Sequence, residues 1–229
     1  MKALELLEIL NQYRDLDLAP IRYVSSTVRT FQIQSYTEAD LGALWTRVGG
    51  GVFKTGKKWN CVFHVFFFKP PKGGGMSSLW IHIDEEYFRD QERSSRFVDL
   101  CKALYSWGKM DHGYVALEDE YRTKNVLGEG GVGGPNLKVA IPGVYWANFF
   151  GPVYVKWLGE ERFRTLDGFA TERLSDGGWL VFARQVLFEY ESRSVKRQEK
   201  RLMRHLGREA FFERQRPFKR AKTPDFGDH

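Results

Sequence analysis

Cysteine is scarce: Cys61 and Cys101 are the only two in 229 residues. Both lie in apolar patterns, which predicts two buried thiols and excludes a disulfide-stapled scaffold. No window approaches the roughly 18 apolar residues of a membrane helix. The longest near-apolar run, Cys61 to Phe68, has the length of a strand. Glu5 and Glu8 interrupt any apolar core of a secretory signal, so a cytoplasmic location without a membrane partner is expected. The first 190 residues also lack net charge, with 23 basic against 23 acidic side chains.

Aromatic side chains are plentiful: 18 Phe, 10 Tyr and 7 Trp in a chain that is 42% hydrophobic. That inventory excludes disorder of the whole chain. The charge excess of +6 lies at one end, because residues 191–229 hold twelve basic and six acidic side chains. The chain therefore reads as one α+β domain over 1–190 and a basic C-terminal helix and tail over 191–229, packed partly on the body.

Hydrophobic periodicity predicts a helix over 1–14 with Ala3, Leu6, Leu7, Leu10 and Tyr13 on one stripe. A β-rich stretch over 21–34 and a short helix from Thr37 to Arg47 come next. Strands are expected at 52–53, 59–69 and 78–83, with turns at 54–58 and at the Pro70–Gly75 cluster. The near-continuous 59–68 run predicts a strand covered on both faces. Phe97, Leu100, Cys101, Leu104 and Trp107 mark a helix over 89–107, with Gly108 placed to end it in a left-handed conformation. A strand at 112–117 and a glycine-rich loop at 123–136 lead to strands at 144–149, 169–174 and 179–187. Pro152 opens a helix between the first two. Ser194 is placed to cap a basic helix ending at Gly207. Two strand–helix–strand stretches, 78–117 and 144–187, echo each other. Hairpin-like joins favour α+β with a largely antiparallel sheet flanked by helices, ending in the basic helix and an extended tail.

Several motifs approach known chemistry and stop short of it. Gly128–Gly133 spells G-x-G-x-x-G, but Pro135 follows and no helix begins. Gly51–Lys57 matches the start of a phosphate loop, yet Lys58 replaces the hydroxyl residue and Trp59 starts a strand. His64, His82 and Asp84 are ligand types on neighbouring strands, with no fourth ligand signalled. The clusters Asp84–Glu86 and Glu118–Glu120 supply paired carboxylates at strand exits, where solvated turn caps are the ordinary role. No nucleophile elbow occurs. A non-catalytic protein with no cofactor and no metal is the leading expectation. A nucleic-acid-binding protein using the basic C-terminal segment is the alternative, and a hydrolase-type enzyme using the His82, Asp84 and Glu85 region is the second alternative.

The C-terminal segment suggests contact with an anionic partner. Its cations are interleaved with Phe188, Tyr190, Phe211, Phe212 and Phe218, a pattern that suits single-stranded nucleic acid. Glu191, Glu199, Glu209 and Glu213 dilute that field, and Lys196 and Lys200 are placed to pair with neighbouring acids.

The string Ile141-Pro142-Gly143-Val144-Tyr145-Trp146-Ala147-Asn148-Phe149-Phe150-Gly151-Pro152, followed by Tyr154-Val155 and Leu158-Gly159, resembles a signature of bacterial immunity proteins of polymorphic-toxin and type VI secretion systems. Phe97–Leu104 leading to His112-Gly113-Tyr114 is similar to their helix-then-strand pattern. Leu206-Gly207, Phe211-Phe212, Pro217 and Pro224-Asp225-Phe226 extend the likeness, which covers residues 77–226 in pieces. The resemblance implies an α+β protein that binds and occludes a cognate toxin, and it transfers no catalytic residues. The expected partner-binding residues are Arg197, Arg201 and Arg204 on the basic helix and Glu118, Asp119 and Glu120 in the acidic cluster. A cognate protein toxin is the expected partner, ahead of nucleic acid.

Overall fold

A computed structural model describes residues 2–18, 20, 22–24, 31–32, 50–55, 58–66, 77–124, 140–141, 143–212 and 224. The expected helix at 37–47, the Pro70–Gly75 turn, the Gly128–Gly133 motif and, in the tail, residues 213–223 and 225–229 lie outside these residues. The fold is α+β, and among the described residues every pairing between strands is antiparallel. The chain divides into two units, Met1–Lys109 and Met110–His229, each with its own sheet. This boundary falls inside the stretch that the sequence groups as one body.

In the first unit, strands β1 (Arg22–Val24), β2 (Phe31–Gln32), β3 (Gly50–Lys54), β4 (Val62–Phe66) and β5 (Ser78–His82) form a sheet in the order β2-β1-β3-β4-β5. The period of two decides which side chains enter the core. Phe53, Phe63 and Val65 are buried, while Lys54 is exposed and Val62 and His64 are half-buried. The expected two-sided burial of the 59–68 run is thus corrected to one-sided burial. Gly51–Lys54 lies within β3, so the phosphate-loop-like string is ladder rather than loop at that end.

Helix α1 (Lys2–Gln12) buries Leu6 and Leu10 and packs with α2 (Gln91–Gly108), which buries Phe97, Leu100 and Leu104. Each such side chain contributes about 1.5–3 kcal/mol. The Asp90 carboxylate caps α2 by accepting the Arg93 N–H at 3.1 Å. The helix runs through Gly108, and Lys109 takes the left-handed conformation at φ 47°. That corrects the expected stop at Gly108 by one residue: the Lys109 N–H closes the last turn on Tyr105 and Ser106 carbonyls. Burial pushes the Cys61 and Cys101 thiols up to about 12, so neither is a ready nucleophile.

In the second unit, β6 (His112–Val115), β7 (Ala147–Phe150), β8 (Ala170–Arg173) and β9 (Trp179–Phe182) pair in the order β6-β7-β9-β8. The 78–117 echo therefore dissolves, because β5 and β6 belong to different sheets. The described helices of this unit are α3 (Glu118–Lys124), α4 (Pro152–Leu158), α5 (Glu160–Arg164) and α6 (Arg193–Leu206). All four β7 residues are buried. Asn148 is tolerated there because both polar atoms of its amide are paired: Oδ1 accepts the Tyr145 N–H, and Nδ2 donates to the Tyr145 and Val181 carbonyls. Phe150, Tyr154, Phe163, Trp179, Leu202 and Leu206 share one core. After α6 the chain returns to that core. Phe211 bridges Ile141, with the Phe212 N–H donating to the Ile141 carbonyl at 2.7 Å.

Ser192, not Ser194, caps α6, accepting the Val195 N–H at 3.2 Å. The helix begins at Arg193, so Ser194 is already within its first turn.

Gly151 joins β7 to α4 and donates its N–H to the Asp111 carbonyl at 2.7 Å. A Cβ here would lie 2.7 Å from that oxygen and 2.8 Å from Asp111 Cα. Both are backbone atoms with no rotamer to change. Gly151→Ala is expected to lower the unfolding free energy by about 1–3 kcal/mol through overpacking, measured by urea denaturation. An unchanged midpoint would refute this close-approach account.

Candidate functional site: a cationic helix face over a buried charge network

Helix α6 carries two stripes with the same 4-3-4 spacing. Val195, Glu199, Leu202 and Leu206 are buried, and Arg193, Arg197, Lys200 and Arg204 are exposed. A two-residue offset on a 3.6-residue turn is about 200°, so the stripes face opposite ways. Lys196 and Arg201, also exposed, flank the cations. The only acid of the helix, Glu199, lies on the buried stripe.

Glu199 is held there by a network of four charges. Arg184, 3% exposed, directs its guanidinium at both Glu120 oxygens, at 2.8 and 2.6 Å, and at Glu199 Oε1 at 3.1 Å. Its remaining donors reach the Val186 and Leu187 carbonyls at 2.9–3.2 Å. Lys124 Nζ reaches Glu120 at 2.6 Å, Glu199 at 2.9 Å and the Val144 carbonyl at 2.6 Å. All five Arg and all three Lys donors therefore have partners. Burial pushes the Glu199 carboxyl up, Lys124 opposes that shift, Glu120 adds to it, and Arg184 opposes it.

Of the expected partner-binding residues, Arg197, Arg201, Arg204, Glu118 and Asp119 are exposed. Glu120 is fully buried, which removes it from any docking surface. Glu118 pairs with Arg122 at 2.9 Å on its own helix. Arg201 is tied down: Nη2 donates to the Asp167 carbonyl at 2.7 Å, and the guanidinium lies 4.8 Å from the Phe169 ring centre. Arg197 and Arg204 donate to α6 carbonyls one turn back. No described residue forms an ion pair with any of the six helix cations. The expected pairing of Lys196 and Lys200 with acids does not occur among the described residues. Phe211 is core, so it is withdrawn from the aromatic set expected to stack on bases.

Sequence reasoning missed Arg184, Lys124 and the outward cations Arg193, Lys196 and Lys200 as parts of one arrangement. The usable signal was Glu199 itself, a carboxylate at the second position of an apolar 4-3-4 stripe.

The other sequence candidates do not assemble. His64 and His82 meet edge-on with ring centres 5.5 Å apart, and burial followed by His82 and Lys54 holds His64 below its ordinary value. Asp84 is exposed and uses its N–H on the Trp59 carbonyl. Among the described residues no group of three or more His, Cys, Asp and Glu is placed to hold a metal ion, and no helix is long and apolar enough to cross a membrane. No protein-family model, curated protein or solved structure matches the chain.

One interior titratable group stands apart from the network. His112 lies among Tyr114, Phe150 and Tyr154, with ring centres 5.4–5.8 Å away. Its Nε2 is buried without a hydrogen-bond partner. Burial pushes the imidazole down to about 4.

Two measurements check these interiors. Arg184→Met leaves two buried carboxylates facing Lys124 alone and is expected to cost about 3–5 kcal/mol in chemical denaturation. Arg184→Lys should recover only part, because one ammonium cannot fork onto Glu120 and also reach Leu187. Loss below about 1 kcal/mol for Arg184→Met would show that the network is not holding the helix. For His112 the folded value lies below the unfolded value of about 6.5, so the unfolded chain binds the extra proton. Stability is then full above about 6.5 and falls as the pH drops towards 4. His112→Phe should flatten the part of that fall above the carboxylate range. An unaltered slope would overturn the assignment.

Proposed function

We propose that this protein is an immunity protein that neutralises a cognate protein toxin by binding and covering it. The observation that carries the reading is the resemblance of the Ile141–Pro152 string. Within it Ile141 and residues 143–151 are buried and Pro152 is exposed, so most of that string acts as scaffold. Recognition then belongs to exposed surface, as expected of a protein that works by occlusion.

The interior chemistry fits the same reading. Arg184, Glu120, Glu199 and Lys124 satisfy one another, which suits a rigid support better than a proton-transferring site. Specificity in such an inhibitor comes from complementary charge and shape on an outer face.

The test is co-expression with any secreted protein found to be encoded by a neighbouring gene. The expected outcome is a complex that survives size-exclusion chromatography at micromolar concentration, together with protection of the host. Absence of both the complex and the protection would refute the proposal.

A further inference from the structure

We infer that the outward stripe of α6, Arg193, Arg197, Lys200 and Arg204 with Lys196 beside it, is a docking face for an acidic protein surface. Only the identification of that acidic protein as a toxin rests on the reading above.

The geometry is that of a built face. Four cations follow one another at spacings of four, three and four residues, a line of about 16 Å on a helix rising 1.5 Å per residue. The helix is fixed from beneath by Leu202 and Leu206 in the core and by Glu199 in the charge network. Its only carboxylate points away from the face, so no acid on the helix neutralises the line. The capping Ser192 sets where the helix begins, and the buried stripe opposite sets which way the cations point.

The field is also bounded where the helix begins: exposed Glu189 and Glu191 precede the stripe. Residues 110–190 of the same unit hold 8 basic against 11 acidic side chains, a net of −3. A long polyanion running past the start of the helix meets those carboxylates. A discrete acidic patch on a folded protein matches a short bounded stripe without that repulsion. Complementary charge of this kind chiefly speeds association and fixes register. Arg201 has another job: its guanidinium is occupied by the Asp167 carbonyl and the Phe169 ring. The face therefore predicts different outcomes for two neighbouring arginines, 197 and 201.

The test uses the full chain with two short fluorescent probes that each carry about four negative charges to match the stripe, an oligoglutamate peptide and an oligo(dT), at about 150 mM salt. The wild-type chain is expected to bind the peptide. Combined Arg193→Glu, Arg197→Glu, Lys200→Glu and Arg204→Glu should weaken binding more than about tenfold, whereas Arg201→Ala should stay within about twofold. Circular dichroism and a thermal melt of the fourfold variant check that the fold is kept. If that variant loses the fold, the single Arg197→Glu and Lys200→Glu variants replace it, each expected to weaken binding by about threefold or more. Peptide binding indifferent to these reversals overturns the inference. So does oligo(dT) binding more than about tenfold tighter than peptide binding, which would make the face a nucleic-acid site. A chain that fails toxin co-purification but binds the peptide through this stripe keeps the face and loses the antitoxin reading. A toxin complex untouched by the reversals does the opposite.

Discussion

The second unit depends on the guanidinium of Arg184. It stands just after β9 and grips Glu120 from α3 and Glu199 from α6, two residues separated by 79 positions. Lys124 completes the set from the more exposed side and ties it to the Val144 carbonyl beside β7. The arrangement is neutral, two cations against two anions. Its energetics are asymmetric. Four apolar side chains of the same volume would not necessarily make a weaker core, because desolvating four charges is costly. Removing any single member leaves a buried charge without its counterpart, and that is what makes the arrangement unforgiving. Its contacts join α3 and α6 to the segment that follows β9.

That constraint links the interior to the surface. With Glu199 turned inward, α6 shows solvent a face with no negative charge of its own. The +6 of the whole chain is then less informative than the position of one carboxylate. A sequence count treats Glu199 as diluting the basic segment, whereas the fold uses it to hold that segment in place.

The legible parts of the fold were those written in periodicity. The stripes of α1 and α2, Pro152 at the start of α4 and the strand–turn–strand of β8 and β9 follow from local pattern. The antiparallel α+β class followed from the joins. Less legible were features set by partners far along the chain. Nothing local to Val62–Phe66 says that only one side of β4 is deeply buried. Nothing local to Gly108 says that Lys109 takes the left-handed turn. Glu118, Asp119 and Glu120 read alike as a cluster, and only the arrival of Arg184 from 64 positions away separates the buried one from the exposed two. Local pattern points to Ser194 as the cap, and only the contact of Ser192 Oγ with the Val195 N–H shows the helix starting two residues earlier.

The matching stripes of α6 also limit how this helix can change. Both are written in one reading frame with a two-residue offset, so inserting or deleting a residue in the middle turns everything beyond it by about 100°. Such a change would swing Leu202 and Leu206 out of the core and rotate Lys200 and Arg204 off their line in the same step. Exchange of one cation for another disturbs neither stripe. The outside of the helix tolerates exchange among cations, while its length is held by its inside.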